Sequence, residues 1–118
     1  MREEKEIVSK EETFDKLAIR LGSVISVEEE PSAPKKAYKM KNDFGKFGVK
    51  TSVGRFTQHA PEEIKGKLVL GILNFPPRQI GDVLSDVLTL GVQYPKAESG
   101  EATFITPCAE AKIGGKLF

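Results

Sequence analysis

Apolar and polar residues change their period several times along the chain, and each change marks an element. In residues 9–17, SKEETFDKL, Phe14 and Leu17 stand three apart, the spacing of one helical face. Ser9 with Glu12 three positions on is a capping-box pair, and acidic residues near the start suit the positive end of a helix. The pattern predicts a short helix of about two or three turns whose apolar stripe must pack on something larger. From Ile19 the period becomes two: Ile19, Leu21, Ile25 and Val27 alternate with Arg20, Ser26 and Glu28, which is how a half-buried strand reads. Gly22 interrupts this strand and would permit the sharp bend by which one long strand serves both halves of a barrel. Pro31 and Pro34 bracket a turn.

A second strand places Tyr38, Met40 and Phe44 inward and Lys39, Lys41 and Asp43 outward. A third sets Phe47, Val49, Thr51 and Val53 against Lys46, Gly48, Lys50 and Ser52, with Phe44-Gly45-Lys46 as the hairpin connection. Residues 59–66, HAPEEIKG, predict a helix of one or two turns with Pro61 in its first turn. Lys67 to Phe75 is the most buried-looking strand. It runs into Asn74-Phe75-Pro76-Pro77-Arg78, where consecutive prolines remove ladder donors and impose an extended, rigid loop. Residues 79–86 form a loop or tight hairpin, Val87 to Leu90 a short strand, Tyr94 to Gly100 a loop, and Ala102 to Thr106 a last strand before a glycine-rich tail.

These elements predict an all-β fold: a five-stranded oligonucleotide-binding barrel with a short N-terminal helix, a short helix between strands 3 and 4, and terminal extensions used in dimerisation. An unspecialised antiparallel sheet with helices is the alternative. Closing the sheet removes the open edges that rows such as Leu68-Val69-Leu70 would otherwise offer to further pairing. At 118 residues one core is expected, so 1–118 reads as a single domain: an N-terminal extension over 1–17, the barrel over 18–106 and a tail over 107–118. Phe14 and Leu17 at one end, and Leu117 and Phe118 at the other, leave apolar surface that a two-fold dimer would bury.

Composition narrows the function. A mean hydropathy of −0.28 suits a water-soluble domain, and the longest nearly apolar stretch, residues 68–73, is far below the ~20 residues of a membrane helix. Without an apolar leader segment, the cytoplasm is the expected location. The single Cys108 excludes an intrachain disulfide and a cysteine zinc cluster; it reads as a small buried side chain, with a redox or nucleophilic role as the alternative. His59 is the only histidine, in a hydrophilic stretch that suits surface or loop capping. Carboxylates occur mainly as runs, whose neighbours face different ways. No phosphate-cradling glycine motif and no metal-ligand cluster stands out, so neither enzyme nor cofactor nor metal is expected.

Net charge is +1, but its distribution is uneven: residues 1–30 sum to −4, residues 31–67 to +6 and residues 68–118 to −1. A local basic face suits an anionic partner. Lys39, Lys41, Lys46, Lys50 and Arg55 are interleaved with Tyr38, Phe44, Phe47 and Phe56, which combines phosphate neutralisation with stacking surfaces. Parity, however, places Tyr38 and Phe44 with the core. The proline loop would present Phe75 and Arg78 at little ordering cost, or Phe75 would plug the barrel end.

The stretches FDKLAIRLGSVISVEE, DFGKFGVKTSVGRFT and LVLGILNFPPRQIGDVLSDVLTLG resemble the tRNA-binding domain family found appended to some methionyl- and phenylalanyl-tRNA synthetases, and most of all its free-standing, export-related chaperone branch of CsaA type. The resemblance covers about residues 12 to 118, with NFPPR its most specific element. It implies an oligonucleotide-binding barrel, a homodimer, and either tRNA or another RNA, or unfolded secretory preproteins, as ligand. Arg20, Lys50, Ser52, Asn74, Pro76, Pro77, Arg78 and Ser85 fall on family positions and are the candidate contacts it implies. Ala18, Val53-Gly54-Arg55 and Asp82-Val83-Leu84 depart from the pattern; Asp82 and Leu84 weaken phosphate attraction at that rim, and Arg55 partly restores it.

Overall fold

The computed structural model describes residues 4–95 and 100–118. Five strands, β1 (Ile19–Glu29), β2 (Tyr38–Asp43), β3 (Val49–Gly54), β4 (Leu68–Ile72) and β7 (Leu88–Thr89), make one antiparallel sheet in the order β3-β2-β1-β4-β7. Two hairpins flank it, β5 (Arg78–Ile80) with β6 (Val83–Ser85), and β8 (Gly91–Gln93) with β9 (Ala102–Phe104). A single α-helical turn, α1 (Pro61–Ile64), lies between β3 and β4 and plugs the barrel with Ile64, which is fully buried. Among the described residues, no helix is long and apolar enough to cross a membrane.

β1 serves both halves of the barrel. Ile19 to Ser23 pair with β4, and Ser23 to Glu29 with β2. The irregularity that permits this lies between Val24 and Ser26, not at Gly22. That bulge shifts the alternation by one residue, so Val24 is buried while Ile25, expected inside, is 45% exposed. Gly22 instead makes room for a ring. A Cβ there would stand 2.6 Å from the Phe44 side chain, and one on Gly71 2.7 Å from it. The two glycines open the space that the fully buried Phe44 fills.

The alternation expected for β2 holds, with Tyr38, Met40 and Phe44 buried. Asn42 is buried with them. In β3 the expected faces are exchanged: Val49 is exposed and Ser52 is buried opposite Met40. A hydrogen-bonded set explains both polar side chains. Asn42 Nδ2 donates to Thr89 Oγ1 (3.1 Å), and Thr89 Oγ1 donates to Ser52 Oγ (2.8 Å). The set ties β2, β3 and β7 together inside the barrel, where an unpaired hydroxyl or amide would cost stability. Phe47 belongs to a 3-10 turn over Gly45–Phe47 rather than to the strand, so the β2–β3 connection is longer than expected.

Closure between β3 and β6–β7 is made by side chains in place of a full ladder. Ser85 Oγ accepts from Val53 N–H (3.1 Å). Asp86 Oδ1 accepts from Thr51 N–H (2.7 Å), and Asp86 N–H donates to the Thr51 carbonyl (2.9 Å).

Both ends differ from expectation. The N-terminal helix reduces to one 3-10 turn, Phe14–Lys16. Ser9 Oγ does accept from Glu12 N–H (3.3 Å), but Thr13 N–H turns to the Lys10 carbonyl (3.3 Å), an i→i−3 bond in place of the α-helical one, and only the Thr13 hydroxyl reaches the Ser9 carbonyl (2.6 Å). The tail, expected outside the barrel, is hydrogen-bonded along the edge of β1 that β2 leaves uncovered: Leu21 N–H donates to the Gly115 carbonyl (3.0 Å), Gly114 N–H to the Leu21 carbonyl (2.8 Å) and Leu117 N–H to the Ile19 carbonyl (3.1 Å). Cys108 is exposed, contrary to the buried reading, because residues 107–111 turn outside the core.

Candidate nucleic-acid interface

The outer face of β2 and β3 is built by alternation. With Met40 and Asn42 inside, Lys39 and Lys41 point outward, and the register sets them opposite Val53 and Thr51. Past Val53 the face drops into a trough between β7 and the β5–β6 hairpin. One part of it, about 230 Å³, is lined by Val53, Phe75, Pro76, Arg78, Ile80 and Leu88, with Asp86 at its side. A second part of about 560 Å³ shares Val53, Arg78, Ile80 and Leu88, and adds Lys35 and Arg55. The floor is apolar and the rim carries three cations.

Each wall has a local cause. Leu73 N–H donates to the Ala18 carbonyl (2.8 Å), ending β4 against the N-terminal segment. The Asn74 amide then holds that segment twice, donating to the Lys16 carbonyl (2.8 Å) and accepting from Ala18 N–H (2.8 Å). Directly after this anchor Phe75 stands 45% exposed, so the loop presents the ring and does not plug the barrel with it. Arg78 opens β5 opposite Ser85 and is exposed. The tip of the hairpin is fastened to the β1–β2 turn: Asp82 N–H donates to Ser32 Oγ (2.8 Å), whose own hydroxyl donates to the Glu30 carboxylate (2.6 Å). That hydrogen bond from Ser32 holds the Glu30 carboxyl below the usual glutamate range. Arg55 Nε–H donates to the Lys36 carbonyl (3.1 Å), while its buried Nη1 finds no acceptor among the described residues.

The basic residues do not share one side, as simple alternation suggests they should. Lys39 and Lys41 lie on the outer face, although Glu28 takes the Lys39 ammonium at 2.9 Å and holds it above the usual lysine range. Lys50 is opposite Asn42, so it belongs to the other face of the sheet. Lys46 and Arg20 gather around Phe47, at 5.3 Å and 4.6 Å from its ring centre, and Arg20 Nη1 donates to the Gly114 carbonyl (3.3 Å). This group stands at the far end of β3 from Arg55, about 20 Å along the strand.

Four candidate contacts are engaged within the chain. Ser52 is buried and closed into the hydrogen bonds above, and Ser85, whose Oγ is engaged in the same way, lies in the wall of the trough. Asn74 is exposed, but both ends of its amide are engaged by the chain. Arg20 is held over Phe47. Lys35, one of the run of basic residues over 35–50, and Val53 line the trough, as do Ile80 and Leu88, which do not stand out in the sequence. The only signal for those two is alternation on short strands.

His59 is tied into the β8–β9 hairpin, its Nε2 within 2.9 Å of Thr103 Oγ1 and 3.0 Å of Tyr94 OH. Among the described residues no group of His, Cys, Asp and Glu could hold a metal ion. Of the terminal apolar residues, Phe14 and Leu17 are half-buried and Phe118 is 98% exposed. Leu117 and Phe118 border an apolar groove of about 460 Å³ with Leu21, Leu70 and Ile105.

Comparison with known proteins places the molecule further. The family described as putative tRNA binding domain matches residues 19–116. A methionine–tRNA ligase of Pyrococcus horikoshii is 36% identical over 118 residues, which is 98% of this chain and 16% of that protein. The chain therefore spans a small part of the curated relatives it matches. The crystal structure of the chaperone CsaA from Bacillus anthracis superimposes with a TM-score of 0.84 at 30% identity, over 95% of this chain and 100% of that one. That of the CsaA chaperone protein from Picrophilus torridus gives 0.83 at 31%, with the same coverage.

Proposed function

The chain belongs to the putative tRNA-binding domain family, and from that membership we propose that it is a non-catalytic module that binds tRNA or another structured RNA through the outer face of β2 and β3 and the trough beside it. One observation carries the reading: Lys35, Arg55 and Arg78 surround an apolar trough beside the exposed Phe75. Cations neutralise phosphates and release their counterions, which supplies affinity; the rings and aliphatic floor accept what is left of a nucleotide. The family is a binding module, and this chain is read as one. The cytoplasm is where such a partner would be met.

Two further elements belong to the proposal. The chain acts as a homodimer in which Phe14, Leu17, Leu117 and Phe118 are covered, since the groove behind Phe118 is apolar and open. Capture of unfolded secretory preproteins is the second reading, favoured by the exposed Phe75 and Leu88 at the trough and the exposed Leu84 on the hairpin beside it. Mobility shifts of a tRNA mixture at two ionic strengths decide between them. RNA binding that weakens steeply with salt supports the first reading. No shift at low salt, together with salt-independent slowing of precursor aggregation, replaces it with the second.

A further inference from the structure

Resting on the RNA-binding reading above, we propose that the trough between β3, β7 and the β5–β6 hairpin accepts a single unpaired nucleotide, its base against Phe75 and the apolar floor and its phosphate between Arg55 and Arg78. The two parts of this surface are mismatched in chemistry. Its rim is cationic, as any polyanion site would be. Its floor is mainly the aliphatic Val53, Ile80 and Leu88, with Ser85 and Thr89 already hydrogen-bonded within the chain and the Asp86 carboxylate held by Thr51 N–H at one side. A continuous RNA duplex shows phosphates and 2′-hydroxyls along an even surface and keeps the faces of its bases stacked away. Such a helix would touch the rim and leave the floor uncovered.

An unpaired base has free π faces and an apolar plane, and it can leave the stack to enter a depression. The 230 Å³ part of the trough is smaller than the roughly 300–1,000 Å³ of drug-sized pockets, so it suits one ring system and not several. Phe75 is the ring that can meet it: Tyr38, Phe44 and Phe56 are buried, and Phe47 lies under Arg20. The Asn74 anchor and the two prolines after Phe75 fix the ring before the ligand arrives, which limits the ordering cost of binding.

Arg55 points the same way. Its side chain is fixed by the Lys36 carbonyl, and its buried Nη1 has no acceptor among the described residues. An anionic oxygen entering beside Arg78 would meet a guanidinium already held at the wall of the trough. An apolar peptide would cover the floor, but it would bring no charge for Lys35, Arg55 and Arg78.

The test uses the full chain, a blunt RNA duplex, and the same duplex carrying one bulged 2-aminopurine. Anisotropy should show the bulged duplex bound about five- to a hundred-fold more tightly than the blunt one, the range expected for one stacked base. The fluorophore should be quenched on binding. Phe75→Leu keeps an apolar residue at an exposed site and should abolish both the preference and the quenching. Phe75→Tyr should restore them. Equal affinity for the two duplexes without quenching overturns the proposal but leaves RNA binding intact. Failure of tRNA and both duplexes to bind at low salt overturns the RNA reading itself. Displacement of the bulged duplex by an uncharged apolar peptide at stoichiometric concentration assigns the trough to polypeptide and also overturns the proposal.

Discussion

Asp86 grips Thr51 by both of its backbone polar groups: its carboxylate accepts the Thr51 N–H at 2.7 Å, and its own N–H reaches the Thr51 carbonyl at 2.9 Å. This pair, with Ser85 on Val53 N–H, closes the barrel where β7 is only two residues long. Asp86→Ala should leave a half-buried backbone donor unpaired and cost about 1–3 kcal/mol in urea unfolding. Asp86→Asn, whose carbonyl can still accept, should lose less. Equal losses would mean that the carboxylate's charge, rather than its position, closes the seam.

The Phe44 ring and two glycines form a coupled set. An alanine Cβ at residue 22 or 71 would stand 2.6 or 2.7 Å from that ring, so either Gly→Ala change should destabilise by about 1–3 kcal/mol through overpacking. Phe44→Leu should be destabilising in the native background, where it leaves a void, and much less so beside Gly22→Ala. A double-mutant cycle by chemical denaturation measures this coupling, and strict additivity would contradict it.

The barrel class was legible because β1, β2 and β4 carry long alternating or apolar runs. The site was legible only where it depends on backbone-breaking residues: consecutive prolines marked the loop that presents Phe75. What escaped was set by tertiary partners. Ser52 reads as a surface serine and is buried because Asn42 and Thr89 reach it from two other strands. Ile25 reads as core and is exposed because a bulge two residues from the change of partner strand moves it out. The helix expected over 9–17 shortens to a 3-10 turn over Phe14–Lys16, where the backbone bonds run to i−3 carbonyls. Counting lysines along the strands could not divide them among faces, since one exchanged strand sends Lys50 to the opposite side from Lys41.

Acid should loosen the arch over the trough. The Ser32 hydroxyl bond holds Glu30 below its ordinary value, so the ionised form is favoured in the folded state. The associated stability is present above the unfolded carboxylate value and is lost as pH falls through the lower folded value. A carbon-detected NMR titration should place Glu30 below the other surface glutamates, and Ser32→Ala should move it upward. No movement would assign the lowering to the Ser32 backbone N–H, which also donates to this carboxylate at 3.2 Å.

Asn74 offers the sharpest separation of a structural role from a contact with the ligand. Its amide donates one proton to the Lys16 carbonyl and accepts one from Ala18 N–H, so each end of the amide is held by the chain. Asn74→Ala removes both bonds and should cost roughly 1–2 kcal/mol, with faster amide exchange at Ala18. Asn74→Asp keeps the acceptor alone and should protect Ala18 while freeing the carbonyl of Lys16. Any loss of RNA affinity in Asn74→Ala must then come through a less ordered Phe75 loop. Because no charge is removed, the slope of log affinity against log salt should stay unchanged, whereas Arg78→Ala should reduce it by about one phosphate's worth. A shallower slope in Asn74→Ala would show that the loop also positions a cation, and Arg78, four residues on, is the one it would move.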